Sequence, residues 1–222
     1  MGLPVLIEGE SGSGKSRSLK NFKPGEISIF NVAGKPLPFK NNGLATLSVA
    51  KLVKANKGKS RYDVIKAAMF QSKSKAFAID DSQYLMAFDS FDKAKELGYG
   101  KFTDMAVSFE RLIEFVINDL PSDVIVYFLH HVELTDGGKY KAKTIGKMLD
   151  NQLTVEGLFS IVLFCTADEN HHYFITQSRG ISTAKSPEDM FDDEIENDLK
   201  FVDTKIREYW GLTPNNIESE EK

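Results

Sequence analysis

The segment Gly9-Glu-Ser-Gly-Ser-Gly-Lys15-Ser16 carries the spacing G-x-x-x-x-G-K-[ST] of a phosphate-binding loop. Its composition follows from its chemistry. Gly12 and Gly14 allow backbone conformations closed to residues with a Cβ, which bring N–H groups close to phosphate oxygens. Lys15 reaches the β- and γ-phosphates, and the Ser16 hydroxyl is a ligand for Mg2+. Gly9, Glu10, Ser11, Gly12, Ser13, Gly14, Lys15, Ser16 and the adjoining Arg17 form the expected nucleotide-binding set, with ATP and Mg2+ as cofactors.

Such a loop needs a partner acid for the metal. Ala76-Phe-Ala-Ile-Asp80-Asp81 is an apolar run ending in two carboxylates. Asp80 is expected to hold Mg2+ through water, and Asp81 to orient or deprotonate the attacking water. A second apolar run, residues 124–129, ends in His130-His131. A polar residue there, His131 above all, either touches the γ-phosphate or is an ordinary loop histidine. Neither this pair nor His171-His172 has a ligand set for zinc.

Three groups of cations remain. Lys51, Lys54, Lys57, Lys59 and Arg61 surround Gly58. Lys139, Lys141, Lys143 and Lys147 follow Gly137-Gly138, with Tyr140 interleaved. That pattern suits a flexible loop that grips single-stranded DNA by phosphate charge and aromatic stacking, and equally a solvated loop. Arg179 and Lys185 suit cationic fingers acting in cis or from a neighbour, or plain surface charge.

The elements that must position these groups read as alternating strands and helices. Residues 3–8 form a buried strand feeding the loop, and 15–21 open a helix whose positive end faces the phosphates. Strands are expected at 26–32, 76–80, 124–129, 160–166 and 172–177. Helices are expected at 44–55, 61–72 and 104–120, with one or two more in 187–210. Residues 33–42 and 91–103 read as loops, and 134–143 as a turn-rich excursion with the look of a hairpin. Helices between strands argue for a mostly parallel α/β sheet flanked by helices, with antiparallel strands added near the C-terminal end. One domain, 1–212, is expected, followed by an acidic disordered tail over 213–222.

The composition agrees. In 222 residues, 41% hydrophobic and 27% charged, there is one cysteine, so no internal disulfide can form. Cys165 lies in an apolar run and reads as a buried, reduced thiol. No run approaches the 18 apolar residues of a membrane span, and the opening Met1-Gly-Leu-Pro-Val-Leu-Ile does not read as a secretory leader. The net charge of −4 divides into +10 over residues 1–75 and −14 over 76–222. A polyanion would meet a basic first third.

The chain resembles the small RecA-like P-loop ATPases of bacteriophages, the group linked to single-strand annealing and homologous recombination. The resemblance rests on 9–16, Asn31-Val-Ala-Gly-Lys-Pro-Leu-Pro38, 76–81, His131-Val-Glu133, Lys143-Thr-Ile-Gly-Lys147, Glu156-Gly-Leu-Phe159 and Lys185-Ser-Pro-Glu-Asp-Met-Phe191, and spans roughly 3–210. It implies a RecA-like core, Mg-dependent ATP hydrolysis, homo-oligomers on single-stranded DNA and a place in the cytoplasm of an infected bacterium, among single-strand-binding or replication proteins. The chain departs from that pattern at one point. RecA-type ATPases place a catalytic glutamate just after the second strand; here no acid follows Asn31 until Asp63, which shifts the role of base toward Asp81. Two rival functions stand beside recombination or annealing. One is an ATP-regulated replication or assembly adaptor of the helicase-loader kind, suited by the net charge of −8 over 186–222. The other is a small-molecule kinase, for which no acceptor site is legible.

Overall fold

A computed structural model describes residues 1–98, 100–145, 154–169 and 171–215. The strands form because their sequences are apolar on both faces, as central parallel strands must be. β1 (Leu3–Gly9), β4 (Ala76–Asp80) and the first six residues of β5 (Ile125–Leu134) are almost wholly buried. With β2 (Ser28–Asn31), β3 (Ala45–Ser48) and β7 (Ile161–Ala167) they make a parallel array ordered β3-β2-β4-β5-β1-β7. β8 (His172–Ile175) and β9 (Glu194–Glu196) extend it beyond β7 by antiparallel pairing. β6 (Tyr140–Ala142) pairs with the outer end of β5, and its Tyr140 N–H donates to the Ile181 carbonyl at 2.9 Å. The mostly parallel sheet with late antiparallel strands is as expected.

Alternate residues along each strand serve two cores, one on each face. Leu6, Phe77, Ile79 and Phe128 meet α2 (Arg61–Gln71) and α4 (Gly100–Asp119) through Ile65, Met69, Phe109, Leu112 and Val116. Val5, Ile7, Ala78 and Leu129 meet α5 (Leu199–Trp210) through Leu199, Val202 and Ile206. Helix starts follow local chemistry. Ser48 caps α1 (Val49–Ala55), Ser60 and Asp63 form a reciprocal capping box on α2, and Asp198 caps α5. α3 (Gln83–Asp92) begins directly after the acidic end of β4.

Several expectations are corrected. Residues 44–55 are not one helix: 45–48 are edge strand β3, and the helix starts only at Val49, after its Ser48 cap. The stretch 187–210 is turns, strand β9 and one helix, because Ile195 is drawn into the core beside Phe174. α3 reaches Asp92 and α4 starts at Gly100, so the loop expected over 91–103 shrinks to the residues between them; Lys101 closes it by donating to the Glu96 carbonyl at 2.9 Å. β5 continues through His130 and His131, which lie on a strand and not in a loop. Of the expected tail, Asn215 is buried and its amide donates to the Glu26 carbonyl at 2.7 Å, while 216–222 lie outside the described residues. Among the described residues no helix is long and apolar enough to cross a membrane.

The rim at the amino ends of β4 and β5 is tied by one buried ion pair. Arg207 and Asp203 on α5 pair at 2.8 Å with side chains 3% and 1% exposed. Arg207 also donates to the carbonyls of Lys75, Asp123 and Thr213, and Tyr127 donates to Asp203 at 3.0 Å. Removing one partner leaves the other charge buried and unpaired, which costs about 3–5 kcal/mol. Arg207→Met is therefore expected to lower unfolding stability by about that much in a urea titration; a loss well under 1 kcal/mol would show that α5 is held by its apolar face alone.

Candidate functional site

The carboxyl ends of β1, β4 and β5 open on one cavity of about 290 Å3. Its walls include Ser11, Gly12, Gly14, Lys15, Ser16 and Arg17 from the loop after β1, Asp80 and Asp81 from the end of β4, and His131 from β5. Lys35, Pro36 and Pro38 close one side, and His172 the other.

The loop's glycines are demanded by close approach as well as by backbone angle. A Cβ on Gly9 would lie 2.4 Å from the Cys165 carbonyl oxygen. Gly14 has φ +106°, and a Cβ there would lie 2.7 Å from His172 Nδ1. The Ser13 carbonyl is held from outside the loop, accepting from His172 Nδ1 at 2.8 Å and from the Cys165 thiol at 3.2 Å. A carbonyl only accepts, so His172 carries its proton on Nδ1. Burial pushes the Cys165 thiol up to about 11, which keeps it a proton donor. The helix expected after Lys15 is a six-residue 3-10 segment, Ser16–Asn21, ending just before Lys23-Pro24. So short a segment adds little dipole, and the loop's own amides must supply most of the positive field.

Lys15 is buried, with its ammonium donating to the carbonyls of Gly9 and Glu10 at 2.8 Å each; burial lowers its pKa. Ser16 Oγ donates to Asp80 Oδ1 at 2.6 Å, joining the loop to β4. Burial raises the Asp80 carboxyl, and the Ser16 hydrogen bond partly offsets this. A hydroxyl and a carboxylate converging in this way form a hard-oxygen donor set that fits Mg2+. Asp81 adopts the left-handed conformation, φ 61°, which tolerates Asp and Asn better than most residues. Burial alone would raise its carboxyl, but hydrogen bonds from His131 and Lys35 outweigh it and hold the group at about 2. His131 Nε2 lies 3.0 Å from Asp81 Oδ1 and Lys35 Nζ 2.8 Å from Oδ2. A carboxylate that acidic orients a water far better than it takes a proton from one.

The neighbouring His130 is buried and plays a different part. Burial lowers its pKa to about 4, so the ring is neutral. Its Nε2 donates to the Lys143 carbonyl at 2.9 Å, which leaves Nδ1 to accept from Ser82 Oγ at 2.9 Å. It thus ties β4's exit to the hairpin formed by β5 and β6.

On that hairpin Lys139 and Lys143 are exposed. Lys141 pairs with Glu133 at 3.1 Å. Tyr140 packs its ring 5.3 Å from Phe164, and its phenol lies near Glu10 of the phosphate loop, whose charge raises its pKa. Lys147 lies outside the described residues. Arg179 is bound to Asp193 and Glu194, and Lys185 pairs by backbone with Val162; neither lines the cavity. Three residues near the site carried no role in the sequence reading. Lys35 was visible only as a cation in a Gly-Pro turn after a strand. His172 and Glu8 gave no local signal.

Among solved structures, the flagellar accessory protein FlaH from Methanocaldococcus jannaschii aligns with 87% of this chain and 83% of its own, at 14% identity and a TM-score of 0.43. No protein-family model and no curated protein matches the chain.

Glu8 lies beneath the loop on β1, fully buried. Its Oε1 accepts from the Thr183 hydroxyl at 2.6 Å, while Oε2 has no hydrogen-bond partner among the described residues. Burial, with Glu156 nearby, raises its pKa to about 7. Below about pH 4 the group is protonated in both the folded and the unfolded chain. As pH rises, the unfolded chain ionises first, so stability falls until about pH 7 and then levels. The loss should be about 3 kcal/mol, and Glu8→Gln should remove it. Urea midpoints at pH 5 and pH 8 for both proteins test this; equal pH dependence would show that Glu8 ionises normally.

Proposed function

We propose that this chain is a Mg-dependent ATPase of the small phage RecA-like kind that acts on single-stranded DNA in recombination, annealing or replication. The observation that carries the reading is the convergence of Lys15, Ser16 and Asp80 on one cavity at the carboxyl ends of β1 and β4, beneath a loop that excludes side chains at Gly9 and Gly14. Lys15 would exchange its two carbonyl partners for phosphate oxygens, and Ser16 and Asp80 would hold the cation. When bound, Mg2+ supplies positive charge to the phosphate oxygens. Asp81, kept anionic, accepts a hydrogen bond from the attacking water and fixes its direction.

The DNA part of the reading is supported by the hairpin. Its exposed Lys139 and Lys143 flank Tyr140, whose phenol lies near Glu10 in the phosphate loop. His130 joins the Lys143 carbonyl to the exit of β4. Any shift of the loop or of β4 on binding nucleotide is therefore felt by the lysines. Tyr140 contributes through that attachment, since its ring already packs on Phe164.

Two measurements test the two halves. Lys15→Ala is expected to abolish Mg-ATP binding in calorimetric titration while circular dichroism stays unchanged; equal affinities would remove Lys15 from the site. Lys139→Ala with Lys143→Ala is expected to weaken single-stranded DNA binding and to lower its salt slope by about 0.7 per lost contact, more so with Mg-ATP than without. Fluorescence anisotropy across a salt series reads both. Wild-type protein that binds Mg-ATP but ignores single-stranded DNA at low salt would replace the DNA reading with the adaptor one.

A further inference from the structure

We propose that Lys35 is the residue by which this site distinguishes a nucleoside triphosphate from a diphosphate: its ammonium departs from Asp81 and binds the terminal phosphate when one is present. The inference rests on the ATP reading of the cavity and goes beyond it, because Lys35 belongs to neither the phosphate loop nor β4.

The geometry argues for it in three steps. Lys35 lies in the turn after β2, and Asn31 braces that turn. Asn31 Nδ2 donates to the Lys35 carbonyl at 2.6 Å, and Asn31 Oδ1 accepts from the Gly34 N–H at 2.7 Å. Among the described residues the long side chain has no such brace on its stem. It is 62% exposed, lies 2.8 Å from Asp81 and passes over the Tyr84 ring at 5.4 Å. Asp81 is only 12% exposed, so the pair is open on the ammonium side alone, the side from which Lys35 can swing away into solvent or onto a ligand.

Asp81, second, keeps a partner if Lys35 leaves. His131 Nε2 lies on its other oxygen at 3.0 Å, so release of the ammonium does not strand the carboxylate.

The third step is charge. Lys15 and Ser16 occupy the loop end of the cavity, and Asp81 with His131 the end beyond β4 and β5. Lys15 serves the β- and γ-phosphates from the loop side. On the far side a third phosphoryl group faces Asp81, whose negative charge repels it. A second cation there offsets that repulsion, and Lys35 already stands on Asp81 at the cavity wall. A long flexible ammonium can turn from carboxylate to phosphate without moving its backbone.

Calorimetric titration of Mg-ATP and Mg-ADP into wild type, Lys35→Ala and Lys35→Arg tests the proposal. Lys35→Ala is expected to lose about tenfold in affinity for ATP, the size of one charge-assisted hydrogen bond, with ADP unchanged within about twofold. Lys35→Arg should keep most of the preference. A structural role would move both nucleotides together, so parallel losses overturn the proposal, as does an unchanged ATP-to-ADP ratio in Lys35→Ala. Wild-type protein that binds neither nucleotide removes the ATP reading and, with it, the role of Lys35; wild type that binds both equally removes only the latter.

Discussion

One strand separates the two halves of the site. β5 runs between β1, which carries the phosphate loop, and β4, which carries the acids. Contact between the halves must therefore be made over the end of β5, and the Ser16–Asp80 hydrogen bond is that contact. β5 can fill this place only because it is apolar on both faces where it is flanked by β1 and β4, and polar where it emerges. Gly9 and His131 are partners in the β1–β5 register, so the first partly exposed side chain of β5 arrives beside the root of the loop. The next along the ladder inward, His130, stays buried and neutral. Adjacent histidines thus receive opposite surroundings from the period of two along a strand.

What could be read from the sequence was what is local. The phosphate loop is contiguous, β4 is an apolar run closed by acids, and α4 repeats its apolar positions with helical spacing. β3 escaped because four residues at a sheet edge, with Ala45 and Thr46 exposed, leave no alternation to detect, and Leu44 and Leu47 fit a helix equally well. β9 escaped for a similar reason: Ile195 alone is buried between two exposed glutamates in an acidic stretch. The site's missing members are products of tertiary approach. His172 reaches Ser13 across 159 positions and Thr183 reaches Glu8 across 175. Chemistry of that range leaves no trace in spacing. The phosphate-loop pattern could not reveal that β7 and β8 press against it, although the need for glycine at positions 9 and 14 is the mark they leave.

The two rims of the sheet are built on different principles. At the amino ends, Arg207 is saturated by Asp203 and three carbonyls, and Asn215 brings the end of the described chain down onto Glu26. The Arg207 guanidinium there has a partner on each of its nitrogens, and its pair with Asp203 is buried. At the carboxyl ends, Lys15 rests on two carbonyls, Lys35 on a half-open pair and Glu8 Oε2 on nothing described. Incomplete satisfaction is costly, and it concentrates where a polyanion with many acceptor oxygens would enter. The closed rim supplies stability that the open rim gives up.

Charge distribution sets a condition on any nucleic-acid contact of the kind proposed. The +10 of residues 1–75 includes Lys51, Lys54, Lys57 and Lys59, on or just after α1 at the β3 edge. The opposite edge carries Glu194 and Glu196 on β9. The hairpin belongs to neither: its Lys141 is paired with Glu133, and residues 131–147 hold four lysines against two acids, a net of only +2. Long-range attraction therefore does not point at the hairpin, and screening confines each charge to about 8–10 Å at physiological salt. A strand held there would be held by short contacts to Lys139 and Lys143 and not by a basic field. Its grip would then depend on the orientation of the hairpin, which is set by Tyr140 against Glu10 and by His130 against the Lys143 carbonyl. Weak non-specific attraction is what makes such a contact controllable: a surface that bound polyanions by field alone would not release them when the phosphate loop changed.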